Sequence, residues 1–206
     1  MDFPELLELI RSRRSVRQFS TRKPARAQID ALIEAARWAP SNHNRQGWKF
    51  LVFQDGQTIA RLAEQIRASL RRSLSVAHRL VAGHAEEIIH FAGVFDQAPV
   101  VILALHKASP ALGRSLLAAG TSDLVSGEAV STAMACQNIL LAAHALGLGA
   151  CVMTAPLLAA EVWKAATDLP AGFEPTCLIA VGYADDRPAP PRRKRLEQIV
   201  EYRGRQ

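Results

Sequence analysis

The sequence predicts an α+β fold in which helices flank a sheet, and three patterns carry that expectation. Apolar residues at 3, 6, 7 and 10 recur at the spacing of an amphipathic helix, and Ile29, Leu32, Ile33 and Ala36 repeat it over Ala27–Ala39. Val100-Val101-Ile102-Leu103-Ala104-Leu105 is an unbroken apolar run after Pro99, the pattern of a strand covered on both faces. From Glu128 to Leu146 the chain is apolar on almost every side of a helix, and small residues such as Ala129, Ser131, Ala135 and Ala142 let neighbours approach closely. Such a helix must be buried all round, which points to a face shared with a second subunit.

The 206 residues fit a single domain with a substantial core. Phe3–Ser12 is the first helix, and Pro40 stops the second before a loop at Ser41-Asn42-His43-Asn44. Trp48–Phe53 reads as a strand by its aromatic and β-branched content. Helices are expected over 58–72 and 76–91, and a small-residue loop or lid over 108–121. Gly147-Leu148-Gly149 ends the apolar helix, and a short strand over 150–153 and a helix over 158–167 follow. Thr176–Gly182 is a second two-sided strand. The proline-rich stretch 187–191 excludes regular structure and reads as the start of an arm, about 185–206, whose residues 196–200 alternate as a strand would.

Composition excludes several classes. No stretch approaches the roughly 18 continuous apolar residues of a membrane span, and the opening Met-Asp-Phe-Pro-Glu lacks a signal-peptide pattern, so a cytoplasmic protein is expected. The net charge of +6 is concentrated in Arg13/Arg14/Arg17, Arg71/Arg72 and 192–195, without a nucleic-acid recognition motif, so no nucleic acid is expected as partner. Cys136, Cys151 and Cys177 are widely spaced in apolar surroundings and read as buried thiols. Gly147-x-Gly149 lacks the third glycine of a dinucleotide fingerprint, Glu87-x-x-His90 has no second copy, and His144 reads as a satisfied core histidine.

Three polar segments far apart in sequence carry the chemistry. Arg13-Arg14-Ser15-Val16-Arg17 clusters guanidinium groups suited to gripping a phosphate, or equally a cap on the preceding helix end. Ala39-Pro40-Ser41-Asn42-His43-Asn44-Arg45-Gln46-Gly47-Trp48 supplies amides and a hydroxyl suited to the edge of a polar heterocycle, or to turn formation. Pro190-Pro191-Arg192-Arg193-Lys194 supplies further cations, or a solvated basic tail. With Gly147-Leu148-Gly149-Ala150-Cys151-Val152-Met153-Thr154-Ala155-Pro156 and the tail from Val181 to Val200, the order and spacing of these segments resemble the FMN-dependent nitroreductases from Arg13 to about Val200.

The resemblance implies a mixed sheet flanked by helices in an intertwined homodimer, with FMN sites shared between chains and the C-terminal arm wrapping the partner. It implies contacts to FMN from Arg13, Arg14, Ser15 and Arg17, from Pro40, Ser41, Asn42, Asn44 and Gln46, from Met153, Thr154 and Ala155 through backbone N–H groups near the flavin N5, and from Arg193. Two positions depart from the family pattern: Gly47 stands where proline is usual, and Ala155 where glycine is frequent. The implied activity is reduction of a nitroaromatic, quinone or similar electron-poor small molecule by NADH or NADPH, in two hydride-transfer steps through FMN. No catalytic side chain and no metal is expected. Reductive dehalogenation, flavin fragmentation, ring dehydrogenation and passive flavin binding stay open, because the lid regions near 65–95 and 106–122 carry no readable motif.

Overall fold

The structure, a computed structural model, describes residues 2–76, 84–108 and 127–204. Most of the expected lid loop at 108–121, and part of the expected helix at 76–91, lie outside those residues. Helix α1 (Phe3–Ser12) begins at a capping box, with Glu5 N–H donating to Asp2 Oδ1 and Asp2 N–H donating to Glu5 Oε2, each at 2.9 Å. Helix α2 (Arg26–Arg37), strand β1 (Trp48–Phe53), helix α3 (Gly56–Val76), helix α4 (Ala85–Gly93) and strand β2 (Val100–Lys107) follow. Helix α5 (Gly127–Ala145), strand β3 (Gly149–Met153), helix α6 (Ala160–Ala166) and strand β4 (Phe173–Gly182) complete the core.

The four strands form one sheet in the order β1-β2-β4-β3, and each adjacent pair is antiparallel. Among the described residues, parallel pairing enters as an isolated bridge from Ser15 to Ala150, at the outer edge of β3. Alternation along β2 sorts the core into two layers. Val100, Ile102 and Ala104 face α2 and α5, packing on Leu32, Ala135 and Ile139. Val101, Leu103 and Leu105 face the other way, onto Leu62 and Ile66 of α3, Phe95 and Trp163. Helices on both faces explain why this strand carries no polar residue from 100 to 105.

Helix α5 ends in a Schellman motif: Leu148 N–H donates to Ala143 O at 2.8 Å and Gly147 N–H to His144 O at 3.0 Å. The turn needs a left-handed residue, and Gly147 provides it at φ 71°. Gly149 serves a different purpose, since a Cβ there would meet Val16 Cβ at 2.8 Å. That close approach seats the segment after α1 on the edge of β3.

The segment after α1 joins the sheet edge through isolated bridges at Ser15–Ala150 and Phe19–Ala184. Three expectations change. The helix expected over 158–167 is present but shorter, as α6; a 3-10 turn at Ala155–Leu158 precedes it, and Ala159, at φ −95° and ψ 56°, separates the two. Residues 196–200 do not form a strand: Leu196–Gln198 is a 3-10 turn, and among the described residues no strand pairs with it. Helix α5 is not buried all round within one chain. It buries Ser131, Thr132, Ala135, Cys136, Ile139, Leu140 and Ala143, while Val130, Met134 and Gln137 are exposed on the opposite face.

Candidate functional site

The basic segment is set by α1, α5 and β3 together. Val16 N–H donates to Ala150 O at 3.1 Å, which holds Arg13 to Arg17 alongside β3. Ser12 Oγ lies 2.8 Å from His144 Nε2 and donates to Glu8 O at 2.7 Å, tying the end of α1 to the end of α5. The Arg14 guanidinium folds back onto α1, donating to Arg11 O at 2.5 Å and Arg13 O at 2.9 Å. It acts as a helix cap. Among the described residues, no ion pair or hydrogen bond engages the side chains of Arg13, Arg17 or Arg193.

Burial holds the Cys151 thiol above its ordinary pKa, against the downward pull of the Arg17 and Arg13 guanidiniums. Arg13, Arg14 and Arg193 share the wall of a cavity of about 1090 Å³ between α1, the end of α5 and the C-terminal arm. Uncommitted guanidiniums on a hydroxyl-bearing segment form a donor set suited to a phosphate monoester. Further along β3, Met153 is half-buried, Thr154 is exposed and Ala155 opens the 3-10 turn. Ala155 is not among the residues with positive φ, so a side chain is accommodated where glycine is frequent.

The amide segment lies elsewhere, against the start of α5. Asn42 N–H donates to Ser131 Oγ at 3.1 Å, and that hydroxyl donates to Gly127 O at 2.6 Å. Gln46 N–H donates to Ser41 Oγ at 3.0 Å, and Arg45 pairs with Glu128 at 3.4 Å. Gln46 Nε2 donates to Asn44 Oδ1 at 3.2 Å. His43, Asn44 and Gln46 have φ of 51°, 53° and 47°, a left-handed backbone that costs a non-glycine residue about 1–2 kcal/mol. These contacts maintain a loop that propensity alone disfavours. The left-handed Gln46 also accounts for Gly47, because a proline would push the preceding residue toward extended backbone.

Within one chain the two halves do not converge. Ser131 and His144 are 13 positions apart on α5, about 20 Å at 1.5 Å per residue, and each anchors one half. Pro40, Asn42, Asn44 and Gln46 are exposed, as are Arg17 and Arg193.

The model of the Nitroreductase family matches residues 10–183. The chain belongs to that family. It is 28% identical over 203 residues to an iodotyrosine deiodinase from Thermotoga neapolitana, covering 96% of this chain and 97% of the relative. Its fold matches a BluB-like flavoprotein from Clostridium difficile 630 with a TM-score of 0.83 at 24% identity, covering 99% and 100% of the two chains. A nitroreductase with bound FMN from Desulfitobacterium hafniense DCB-2 matches with a TM-score of 0.74 at 24% identity, covering 98% and 100%.

The anchoring contacts of Ser12, Ser131 and His144 are not legible in the sequence, which shows Ser131 as a small helix residue and His144 as a core histidine. His144 is satisfied, as expected, but half-buried on the cavity wall, with its hydrogen-bond partner 132 positions away. The three cysteines are buried and free. Cys136 and Cys177 place their sulfurs 3.4 Å apart, and that contact, with burial, pushes Cys136 far above the ordinary thiol range. Among the described residues no cluster of His, Cys, Asp or Glu could hold a metal, and no helix is long and apolar enough to cross a membrane.

Proposed function

We propose that this chain is an FMN-dependent oxidoreductase that uses NADH or NADPH to reduce nitroaromatic, quinone or similar electron-poor small molecules, as a cytoplasmic homodimer. When bound, FMN supplies the hydride and electron chemistry between reductant and acceptor. The chain's own residues bind and orient it. Arg13, Arg17 and Arg193, with the Ser15 hydroxyl, neutralise and fix the phosphate. Pro40, Ser41, Asn42, Asn44 and Gln46 meet the ring edge, and the backbone at Met153, Thr154 and Ala155 addresses the ring centre, where fixed N–H donors favour added negative charge. Arg14 supports this arrangement by capping α1. No side chain is assigned as acid or base.

The observation that carries this proposal is the set of uncommitted guanidiniums laid along β3 by a bridge from Ser15 to Ala150. The separation of the halves supports two subunits. So does exposed apolar surface on α1 (Phe3, Ile10), α5 (Val130, Met134) and the arm (Leu196, Tyr202), which a second copy would cover. The relative from Thermotoga neapolitana, aligned over nearly both full lengths, supports a second proposal on the same site: reductive removal of halogen from an aromatic ring. Purified protein is expected to be yellow, and to oxidise NADH or NADPH when a nitroaromatic, a quinone or a halogenated phenol is added. Protein that stays colourless after incubation with excess FMN defeats both proposals. Turnover confined to halogenated phenols selects the second.

A further inference from the structure

We infer that Ser131 and His144, at the two ends of α5, are separate positioning residues, the first for the ring-contacting loop and the second for the phosphate-contacting segment. The inference rests on the proposed FMN site.

Both ends use one device. The Ser131 hydroxyl donates to Gly127 O, four residues back on its own helix, at 2.6 Å. Its lone pair is left to accept Asn42 N–H at 3.1 Å. The Ser12 hydroxyl donates to Glu8 O, four residues back on α1, at 2.7 Å, and its lone pair faces His144 Nε2 at 2.8 Å. With the hydroxyl proton on Glu8 O, the lone pair accepts from the imidazole tautomer that carries its N–H on Nε2. In each case a hydroxyl locked to its own helix receives an N–H from another element. Asn42 belongs to the strained loop, and Ser12 immediately precedes Arg13.

The two anchors have different consequences. Releasing Asn42 frees a loop whose left-handed residues relax readily, and that loop faces the ring. Releasing Ser12 loosens the end of α1 and the guanidiniums that follow, which face the phosphate. Riboflavin has the ring without the phosphate, so it separates the two effects.

The test measures dissociation constants for FMN and riboflavin on full-length protein by fluorescence quenching. Ser131→Ala is expected to weaken both ligands by a similar factor, about fivefold, the scale of one lost hydrogen bond. His144→Ala is expected to weaken FMN by about fivefold and riboflavin by less than twofold. Ser131→Thr, which keeps the hydroxyl, and His144→Gln, which keeps a side-chain N–H, should recover most of each loss. If an alanine variant does not fold, Ser131→Cys and Ser12→Ala test the same two bonds. Equal losses of both ligands in all variants would show general loosening and overturn the inference, as would no loss or the reverse pattern. Wild-type protein that binds neither ligand overturns the FMN proposal itself, a distinct result.

Discussion

The Arg14 guanidinium donates to Arg11 O and Arg13 O, so its charge already serves the C-terminal end of α1. Arg13 has no such acceptor among the described residues and faces the cavity shared with Arg193. Adjacent arginines are therefore expected to behave differently on substitution. Arg13→Ala should weaken FMN binding about tenfold or more, since a charge-assisted hydrogen bond contributes about 1.5–3 kcal/mol. Arg14→Ala should lower unfolding stability by about 0.5–1 kcal/mol, with a smaller change in FMN affinity. Flavin titration beside urea denaturation separates them; a larger flavin loss from Arg14→Ala would reverse the assignment. The sequence showed a cluster of charge, but which guanidinium turns back to a carbonyl depends on side-chain rotation that composition does not encode. Asp55 offers a second residue-level test. Its carboxylate accepts from the Thr58 hydroxyl at 2.6 Å and Thr58 N–H at 2.8 Å, bonds that hold its pKa below the ordinary value. A carboxylate depressed in the folded state stabilises above the unfolded pKa, about 3.9, and that contribution is lost as pH falls through the folded value. Melting temperature measured from pH 6 down to 2 should fall less steeply for Asp55→Asn than for the wild type, and an unchanged slope would dismiss this cap as a source of acid sensitivity.

Secondary structure was legible wherever a helix or strand draws its reason from its own neighbours. Trp48–Phe53 and Phe3–Ser12 have the bounds their patterns gave, and β2 is covered on both faces as its unbroken apolar run required. Segments that need distant partners were not legible. The alternation at 196–200 pairs with no edge among the described residues, and the bridge at Ser15 depends on β3 lying alongside. Gly149 makes that contact testable. A Cβ would approach Val16 Cβ and Cγ1 at 2.8 Å, and Val16 is a buried, β-branched side chain with little room to yield. Gly149→Ala is therefore expected to destabilise by about 1–3 kcal/mol through overpacking. It should also push the basic segment outward and reduce FMN affinity more than riboflavin affinity. Full FMN affinity in this variant would show that the bridge does not set the guanidiniums.

At the scale of the molecule, each half of the proposed site has its own support within the chain, and the proposed homodimer lets a second copy complete it. The basic segment leans on the C-terminal end of α5 and the amide loop on its N-terminal end. A two-fold axis relating two copies of α5 can bring one copy's loop to the other copy's guanidiniums. The apolar residues exposed along α5, among them Val130 and Met134, lie on the face available for that approach. This arrangement makes a prediction that no single-chain site can satisfy. Arg13→Ala and Asn44→Ala each damage every site in a homodimer of that variant. In a mixed dimer one site receives both substitutions and the other receives neither. Unfolding and refolding the two variants together in equal amounts should give about half mixed dimers, and hence about one quarter of all sites with wild-type FMN affinity. A biphasic FMN titration, with a tight phase of about that amplitude, is the expected result. Refolding each variant alone supplies the baseline. If the tight phase is absent although mixed dimers are isolated by differential tagging, the site is built within one chain and the shared cradle is wrong.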